Sequence, residues 1–240
     1  MTKQQSILIV EDEDAIRIGL VDLFIYHGFD VDFSADGAIG LEKALSGNFD
    51  LIILDVMLPS MNGFDICREI RQKNKQQPII MLTAKTADED IIQGLSLGAD
   101  DYVSKPFSVG QLVLRVKAVL RRSQINHYDI DKIELSDNRI IDVNNLSLVT
   151  DGKEVQFTRR EMQLIDYLRK HSGRAVSREE LLSEIWGYKP DMDIETRTVD
   201  IHIAKIRKKI EDTPKQPVFL ITVRGAGYKL NCAPDKTNNT

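Results

Sequence analysis

Over its first 120 or so residues the chain alternates short apolar runs with longer amphipathic stretches. The runs at 7–10, 31–33, 51–54, 79–82 and 102–103 are too short for helices and are bounded by polar or turn-forming residues, which predicts five strands. Between and after them, 15–26, 37–45, 63–71, 89–97 and 109–121 carry apolar residues at helical spacing. The strand runs are continuously apolar, which fits strands of a parallel sheet buried on both faces. Strand–helix alternation implies right-handed crossovers, and hence a doubly wound α/β domain with helices on both faces of the sheet.

Near residue 121 the pattern changes. RRSQINHYDID is polar, has no helical period and reads as a linker over 123–131. Short strand-like pieces follow at 133–135, 139–143, 146–149 and 154–157, with Asp151-Gly152 as a hairpin turn. Thr158 with Glu161, and Ser177 with Glu180, have the spacing of capping boxes that open helices. A basic helix is expected over 196–210, then a hairpin of 218–223 and 228–230 around Arg224-Gly225-Ala226-Gly227. The expected domains are therefore 1–122 and 132–232, with the polar stretch 233–240 as a disordered tail.

Composition adds little until it is divided. The net charge is −5, and residues 1–122 hold 13 Lys and Arg against 18 Asp and Glu, while the remainder is neutral. A neutral half can still carry a basic strip, so nucleic acid is not excluded. Cys67 and Cys232 match no metal-ligand spacing and read as reduced bystanders. No run is long enough for a membrane span and the N-terminus passes straight into a strand, so a cytoplasmic protein without a membrane partner is expected.

The chemistry gathers at strand ends. Glu11 and Asp12 follow the first strand, Asp55 the third, Thr83 ends the fourth and Lys105 follows the fifth. In a flavodoxin-like strand order, 2-1-3-4-5, the first and third strands are neighbours, so three carboxylates meet where ligands gather. Like charges at that distance call for a cation, and an all-oxygen site with few protein ligands suits Mg²⁺. Taken singly, Thr83 reads as a helix cap and Lys105 as a solvated lysine. Five polar residues on one sheet edge read together as a site.

The motifs "LIVEDED", "LIILDVMLPSMNG", "IIMLTAK" and "GADDYVSKPF" resemble the receiver domain of bacterial two-component response regulators. That resemblance implies that Asp55 accepts a phosphoryl group from a histidine kinase. It implies Mg²⁺ on Asp12, Asp55 and the Met57 carbonyl, with Glu11 helping through water. Thr83 and Lys105 would bind phosphoryl oxygens, Tyr102 would act in the switch, and Lys105-Pro106 would be a cis peptide. Met57 occupies the place where aspartyl-phosphate hydrolases of the haloacid dehalogenase type carry a second Asp, so a persistent signal rather than turnover is expected.

The strings "FTRREMQLIDYLRKHSGRAVSREELLSEIWG", "RTVDIHIAKIRKKIE" and "ITVRGAGYKL" resemble the winged-helix effector domain of the OmpR/PhoB subfamily, an α+β winged helix-turn-helix fold. In the basic helix, Val199, Ile203, Ile206 and Ile210 form an apolar stripe, with Arg197, Lys205, Arg207, Lys208 and Lys209 lying mostly away from it. By resemblance, Arg197, His202, Lys205 and Arg207 face promoter DNA carrying direct repeats, Thr222 touches a phosphate, and Arg224 enters the minor groove. Ala204 stands where relatives often carry a basic residue. Trp186 reads as core-edge packing with an indole N–H near phosphate. Residues 187–195 match the loop that contacts RNA polymerase.

The subfamily forms a homodimer on phosphorylation through cross-subunit ion pairs. Asp101 and Arg115 match one such pair, whereas Ile91 with Gln111, and Leu97 with Ala118, replace charged pairs by apolar or neutral residues. Two other readings remain open at this stage: an aspartyl-phosphate hydrolase, opposed by Met57, and a protein-interaction regulator that binds no DNA, opposed by the basic helix and Arg224.

Overall fold

The computed structural model describes residues 4–84, 97–123, 130–135, 139–150, 153–188 and 197–232. The chain divides into two compact units, Met1–Ile125 and Asn126–Thr240.

The first unit is a five-stranded parallel sheet in the order β2-β1-β3-β4-β5. Its strands are β1 (Ser6–Val10), β2 (Asp30–Ser34), β3 (Leu51–Asp55), β4 (Ile79–Thr83) and β5 (Asp101–Ser104). The doubly wound prediction thus holds, strand order included. Every residue of β3 and β4 is buried, which is why both read as unbroken apolar runs. Edge strand β2 instead carries Asp30 and Asp32, charges that blunt an open edge.

Helices α1 (Asp14–Tyr26), α2 (Gly37–Ser46), α3 (Gly63–Lys73) and α4 (Val109–Ser123) accompany the sheet. Leu20 and Phe24 of α1 join a core with Ile7, Ile9, Leu51, Ile53, Leu112 and Val116. Each such side chain removed from water contributes roughly 1.5–3 kcal/mol. The predicted helix 89–97 and Ile91 lie outside the described residues, Leu97 excepted. Helix α4 continues through Ser123, one residue into the expected linker, and 124–129 lie outside the described residues.

A buried cation at the other end of the sheet escaped the sequence reading. Arg71 of α3 donates from Nε to the Gly98 carbonyl at 2.8 Å and from Nη2 to Asp100 Oδ2 at 2.9 Å, and also bonds the Gln77 carbonyl. Asp100 Oδ2 in turn accepts the Ile79 amide at 2.9 Å. Helix α3 is thereby tied to β4 and to the approach to β5.

The second unit opens with an antiparallel sheet of β6 (Lys132–Glu134), β7 (Ile140–Asp142), β8 (Ser147–Thr150) and β9 (Lys153–Gln156). The expected Asp151-Gly152 turn and the tail 233–240 lie outside the described residues. Helix α5 (Arg159–Lys170) starts with a complete capping box, Glu161 N to Thr158 Oγ1 at 3.3 Å and Thr158 N to Glu161 Oε2 at 2.7 Å. Helix α6 (Arg178–Leu181) has only half of the predicted second box. Ser177 Oγ accepts the Glu180 amide at 3.0 Å. The Glu180 carboxylate instead takes the Tyr167 hydroxyl at 2.8 Å and both terminal nitrogens of Arg174. A charged guanidinium outbids a backbone amide for that carboxylate, and it holds the Glu180 carboxyl down at about 2.

Helix α6 widens into a π turn over Leu182–Trp186 and ends at Gly187 in the left-handed region. Helix α7 (Arg197–Ile210) follows, and Val199, Ile203, Ile206 and Ile210 are at most 1% exposed, as the predicted stripe requires. Strands β10 (Leu220–Val223) and β11 (Gly227–Leu230) close the unit as an antiparallel hairpin, and Val176 pairs with Tyr228 beside it. Three helices, an N-terminal sheet and a C-terminal hairpin make this a winged helix-turn-helix fold. No helix among the described residues is long and apolar enough to cross a membrane.

Candidate phosphoacceptor site and nucleic-acid interface

The register of the parallel sheet assembles the first site. Val10 pairs with Leu54, so Glu11 and Asp55 emerge side by side, and Asp55 itself pairs with Leu82, next to Thr83. Carboxylate oxygens of Glu11, Asp12 and Asp55 lie within 4.8 Å of one another. Glu11 and Asp55 are buried and Asp12 is exposed. Lys105 follows β5 at a cis Lys105–Pro106 peptide, and its amide donates to the Thr83 carbonyl at 2.6 Å. Its ammonium reaches across the sheet edge to Asp55 Oδ2 at 2.6 Å and to Glu11 at 2.8 Å.

Burial pushes the Glu11 carboxyl up to about 7, against the Lys105 hydrogen bond and with the help of the Asp55 charge. For the Lys105 ammonium, burial works against the charge, but the bonds to Asp55 and Glu11 outweigh it and its pKa rises. Three carboxylates around one ammonium leave surplus negative charge with oxygen ligands only. That donor set fits a hard divalent cation such as Mg²⁺, which accepts few protein ligands and keeps water. The Met57 amide donates to Asp55 Oδ1 at 3.1 Å, and the Met57 side chain is 57% exposed.

Thr83 is fully buried at the end of β4, and Tyr102 is buried in β5. Arg17 was missed from sequence. Its Nη1 donates to the Glu11 and Asp12 carbonyls at 2.9 and 3.0 Å, holding the acid-bearing turn to α1. The only sequence signal was the i,i+3 spacing to Asp14, with which it pairs.

At the expected dimer face, Asp101 and Arg115 do not reach outward. Arg115 Nη1 lies 3.3 and 3.2 Å from the two oxygens of Asp101 in the same chain, and Asp101 is 1% exposed. Within one chain, Arg115 of α4 thus pairs with Asp101 of β5. Ala118 is likewise buried within its own unit, while Leu97 and Gln111 are half-buried.

On the second unit, two expected DNA-facing residues turn inward. His202 is 1% exposed, accepts or donates at Nδ1 with the Thr198 carbonyl at 2.9 Å, and packs edge-on to Trp186 at 5.2 Å. Burial, then the nearby Lys205 charge, pushes its pKa well below the usual histidine value. Lys205 is buried as well. His202 stands three residues after Val199 of the apolar stripe and Lys205 three after His202, so the buried face of the helix is wider than its aliphatic residues alone. Trp186, expected at the edge of the core, lies within it at 1% exposed.

The outward side of α7 presents Ala204 and Lys208. Arg197 heads the helix. Arg207 is half-buried. Its Nε donates to the Leu220 carbonyl at 2.8 Å and its Nη2 to Thr222 Oγ1 at 2.7 Å, fastening the helix to the hairpin. Thr222 is exposed, and Arg224 is exposed in the turn between β10 and β11. A second clamp joins the same elements. Arg178 Nε donates to Asp200 Oδ1 at 2.7 Å, the Tyr228 hydroxyl donates to the same oxygen, and Arg178 lies over the Tyr228 ring at 4.8 Å.

Two protein families match the chain, the response regulator receiver domain over residues 7–117 and the C-terminal transcriptional regulatory protein domain over residues 152–230. The alkaline phosphatase synthesis transcriptional regulatory protein PhoP of Bacillus subtilis is 42% identical over 94% of this chain and 96% of its own length. The sensory transduction protein RegX3 of Mycolicibacterium smegmatis is 39% identical over 94% of this chain and 98% of its own. Among solved structures, a mutant of RitR is 29% identical with a TM-score of 0.70, covering 95% of this chain and 99% of that one. The response regulator DrrB, a Thermotoga maritima OmpR/PhoB homolog, is 31% identical with a TM-score of 0.51, covering 95% and 100%. With a receiver in its first unit, a winged-helix DNA-binding domain in its second, and relatives matched over nearly their full length, this chain belongs to the OmpR/PhoB family of two-component response regulators and is a phosphorylation-dependent transcriptional regulator.

Proposed function

We propose that Asp55 is the phosphoacceptor and that a histidine kinase is the donor. The carrying observation is the Lys105 ammonium 2.6 Å from Asp55 Oδ2, within a cluster that includes Glu11 and Asp12, with Thr83 following the β4 residue that pairs with Asp55. An Asp55 carboxylate oxygen forms a bond to phosphorus as the phosphorus–nitrogen bond of phosphohistidine breaks and the imidazole leaves. Lys105 then pairs with phosphoryl oxygen instead of carboxylate oxygen, and the Thr83 hydroxyl supplies a second donor. Asp12, Asp55 and the Met57 carbonyl, with Glu11 through water, would hold Mg²⁺, which when bound neutralises charge on the transferring group. Met57 offers no acid or base to a hydrolytic water, so the phosphoryl group lasts as a signal and the domain works as a switch. Tyr102 on β5 belongs to that switch.

The output is promoter DNA with direct repeats, bound in the cytoplasm. Arg197, Lys208 and Arg207 of α7 with Thr222 and Arg224 of the hairpin form the proposed contact set, supported by the exposed basic side of the helix beside an exposed arginine turn. His202 and Lys205 are not part of it. Phosphorylation promotes a receiver homodimer over Leu97, Gln111 and the exposed Leu114 of α4, with Ile91 assigned to it by family resemblance. The segment 187–195 is the proposed contact with RNA polymerase, again by resemblance.

The test is intact mass after incubation with a small phosphodonor and Mg²⁺. Wild type gains one phosphoryl mass, and Asp55→Asn gains none. A phosphorylated Asp55→Asn protein would overturn the assignment.

A further inference from the structure

We infer that Asp36 and Ser60 are positioning residues for the phosphoacceptor, a strut that fixes the loop after Asp55 against the N-terminus of α2. The inference rests on the reading of Asp55 given above.

The loop over 56–62 is held at its near end by the site itself. The Val56 amide bonds the Leu82 carbonyl at 3.0 Å, the Met57 amide bonds Asp55 Oδ1 at 3.1 Å, and the Gly63 amide bonds the Val56 carbonyl at 2.9 Å. A Cβ on Gly63 would stand 2.0 Å from the Asp55 carbonyl oxygen, so α3 begins against the backbone of the phosphoacceptor. The far end carries a local conflict. Ser60 has φ +64, the left-handed region that favours glycine. A non-glycine residue persists there only where its surroundings over-determine it.

Those surroundings come from α2. The Ser60 hydroxyl donates to Asp36 Oδ2. The other Asp36 oxygen caps α2, accepting the Ala38 and Ile39 amides at 2.8 and 3.0 Å. The Gly37 amide donates to the Pro59 carbonyl at 3.1 Å, and a Cβ on Gly37 would meet the Met61 carbonyl at 2.0 Å. Capping needs only one Asp36 oxygen, so the second is spent on the loop. The chain of contacts then closes. The Asp36 amide donates to Ser34 Oγ at 3.2 Å, Ser34 Oγ donates to the Asp36 carbonyl at 2.8 Å, and the Ser34 carbonyl accepts the Glu11 amide at 3.0 Å. A path of bonds therefore runs from Glu11 through Ser34, Asp36 and Ser60 around the loop to Asp55. It sets where the backbone at Met57 stands relative to the acidic cluster, which is where cation affinity is tuned.

The full-length chain tests this with Mg²⁺ itself as the probe, titrated calorimetrically, alongside the rate of phosphoryl mass gain and the thermal midpoint without metal. Ser60→Ala removes the hydroxyl and keeps the left-handed strain. It is expected to weaken Mg²⁺ binding roughly tenfold, the low end for residues that orient metal ligands. Asp36→Asn keeps an oxygen for the helix cap and should weaken binding in the same sense; it carries the test should Ser60→Ala fail to fold. Ser60→Gly also lacks the hydroxyl but relaxes the backbone, and should fall between wild type and Ser60→Ala. At saturating Mg²⁺ the phosphorylation rates of the variants should return to the wild-type value. Variants that lose thermal midpoint yet bind Mg²⁺ with unchanged affinity would overturn the strut. A wild-type chain that neither binds Mg²⁺ nor gains a phosphoryl group would instead overturn the reading of Asp55.

Discussion

Lys105 Nζ lies 2.6 Å from Asp55 Oδ2, joining the ends of two strands that do not neighbour each other in the sheet and residues 50 positions apart. The same ammonium is 2.8 Å from Glu11, so it is the counter-charge of two buried carboxylates. Lys105→Ala should leave both uncompensated and destabilise the metal-free receiver by about 3 kcal/mol. Mg²⁺ should restore a larger part of the stability in the variant than in wild type, because the cation then stands in for the lost charge. Chemical denaturation with chelator and with Mg²⁺ checks this; equal metal effects on the two proteins would show that Lys105 does not neutralise the cluster.

Arg71 offers a second stability test, remote from the phosphoacceptor. Its guanidinium bonds two carbonyls and Asp100 in a buried setting. Arg71→Ala removes the charged partner of Asp100 and a donor to each carbonyl, and should cost about 3–5 kcal/mol. Arg71→Met should cost similarly, since packing alone cannot replace the bonds. Urea denaturation of the receiver unit measures both, and a loss under about 1 kcal/mol would mean that water replaces the guanidinium.

His202 predicts a pH dependence in the second unit. Its folded pKa lies below the unfolded value of about 6.5. The unfolded chain therefore binds a proton that the folded chain refuses, and stability is complete above pH ~6.5 and is lost as pH falls below it. The cations around it, Lys205, Arg160 and Lys209, act in the same direction. His202→Phe, which keeps an aromatic edge against Trp186, should flatten the decline. Trp186 is the one tryptophan in the chain, so its fluorescence follows unfolding of this unit in the intact protein. A decline between pH 7.5 and 5.5 equally steep in the variant would assign it to other groups.

The hairpin carries a steric prediction. Gly227 has φ +119, and a Cβ there would stand 2.0 Å from the Val176 carbonyl oxygen. Gly227→Ala should cost more than about 1 kcal/mol and should break the Val176–Tyr228 pairing that seats the hairpin. DNA affinity should fall although no proposed contact residue is altered. An unchanged affinity would show that the hairpin does not contribute.

Lys208 and Arg207 should behave differently on DNA. Lys208 is exposed, and Lys208→Ala should weaken binding to all sequences and lower the salt slope by about 1. Arg207→Ala should also loosen β10 from α7, because its guanidinium bonds Leu220 and Thr222. A salt titration with thermal melts of both variants separates the cases; an Arg207→Ala protein that melts like wild type would reduce that residue to a phosphate contact.

Much of this protein was legible in the chain alone, for identifiable reasons. Strand and helix periods follow from local geometry, so the five parallel strands, the capping box at Thr158 and the apolar stripe of α7 could be read residue by residue. The acid cluster was legible because a parallel sheet delivers successive strand ends to one edge, so position in sequence nearly implies position in space. What tertiary structure alone decided was the partner of each long side chain. Arg71 and Arg17 chose backbone carbonyls, which leave no mark in sequence. Glu180 chose Arg174 over its own helix amide, and Arg115 chose Asp101 of the same chain. His202 went inward against the ring of Trp186, and Lys205 is buried on the same helix. A helical period says which residues share a face, but only the packed neighbours determine how wide the buried part of that face is.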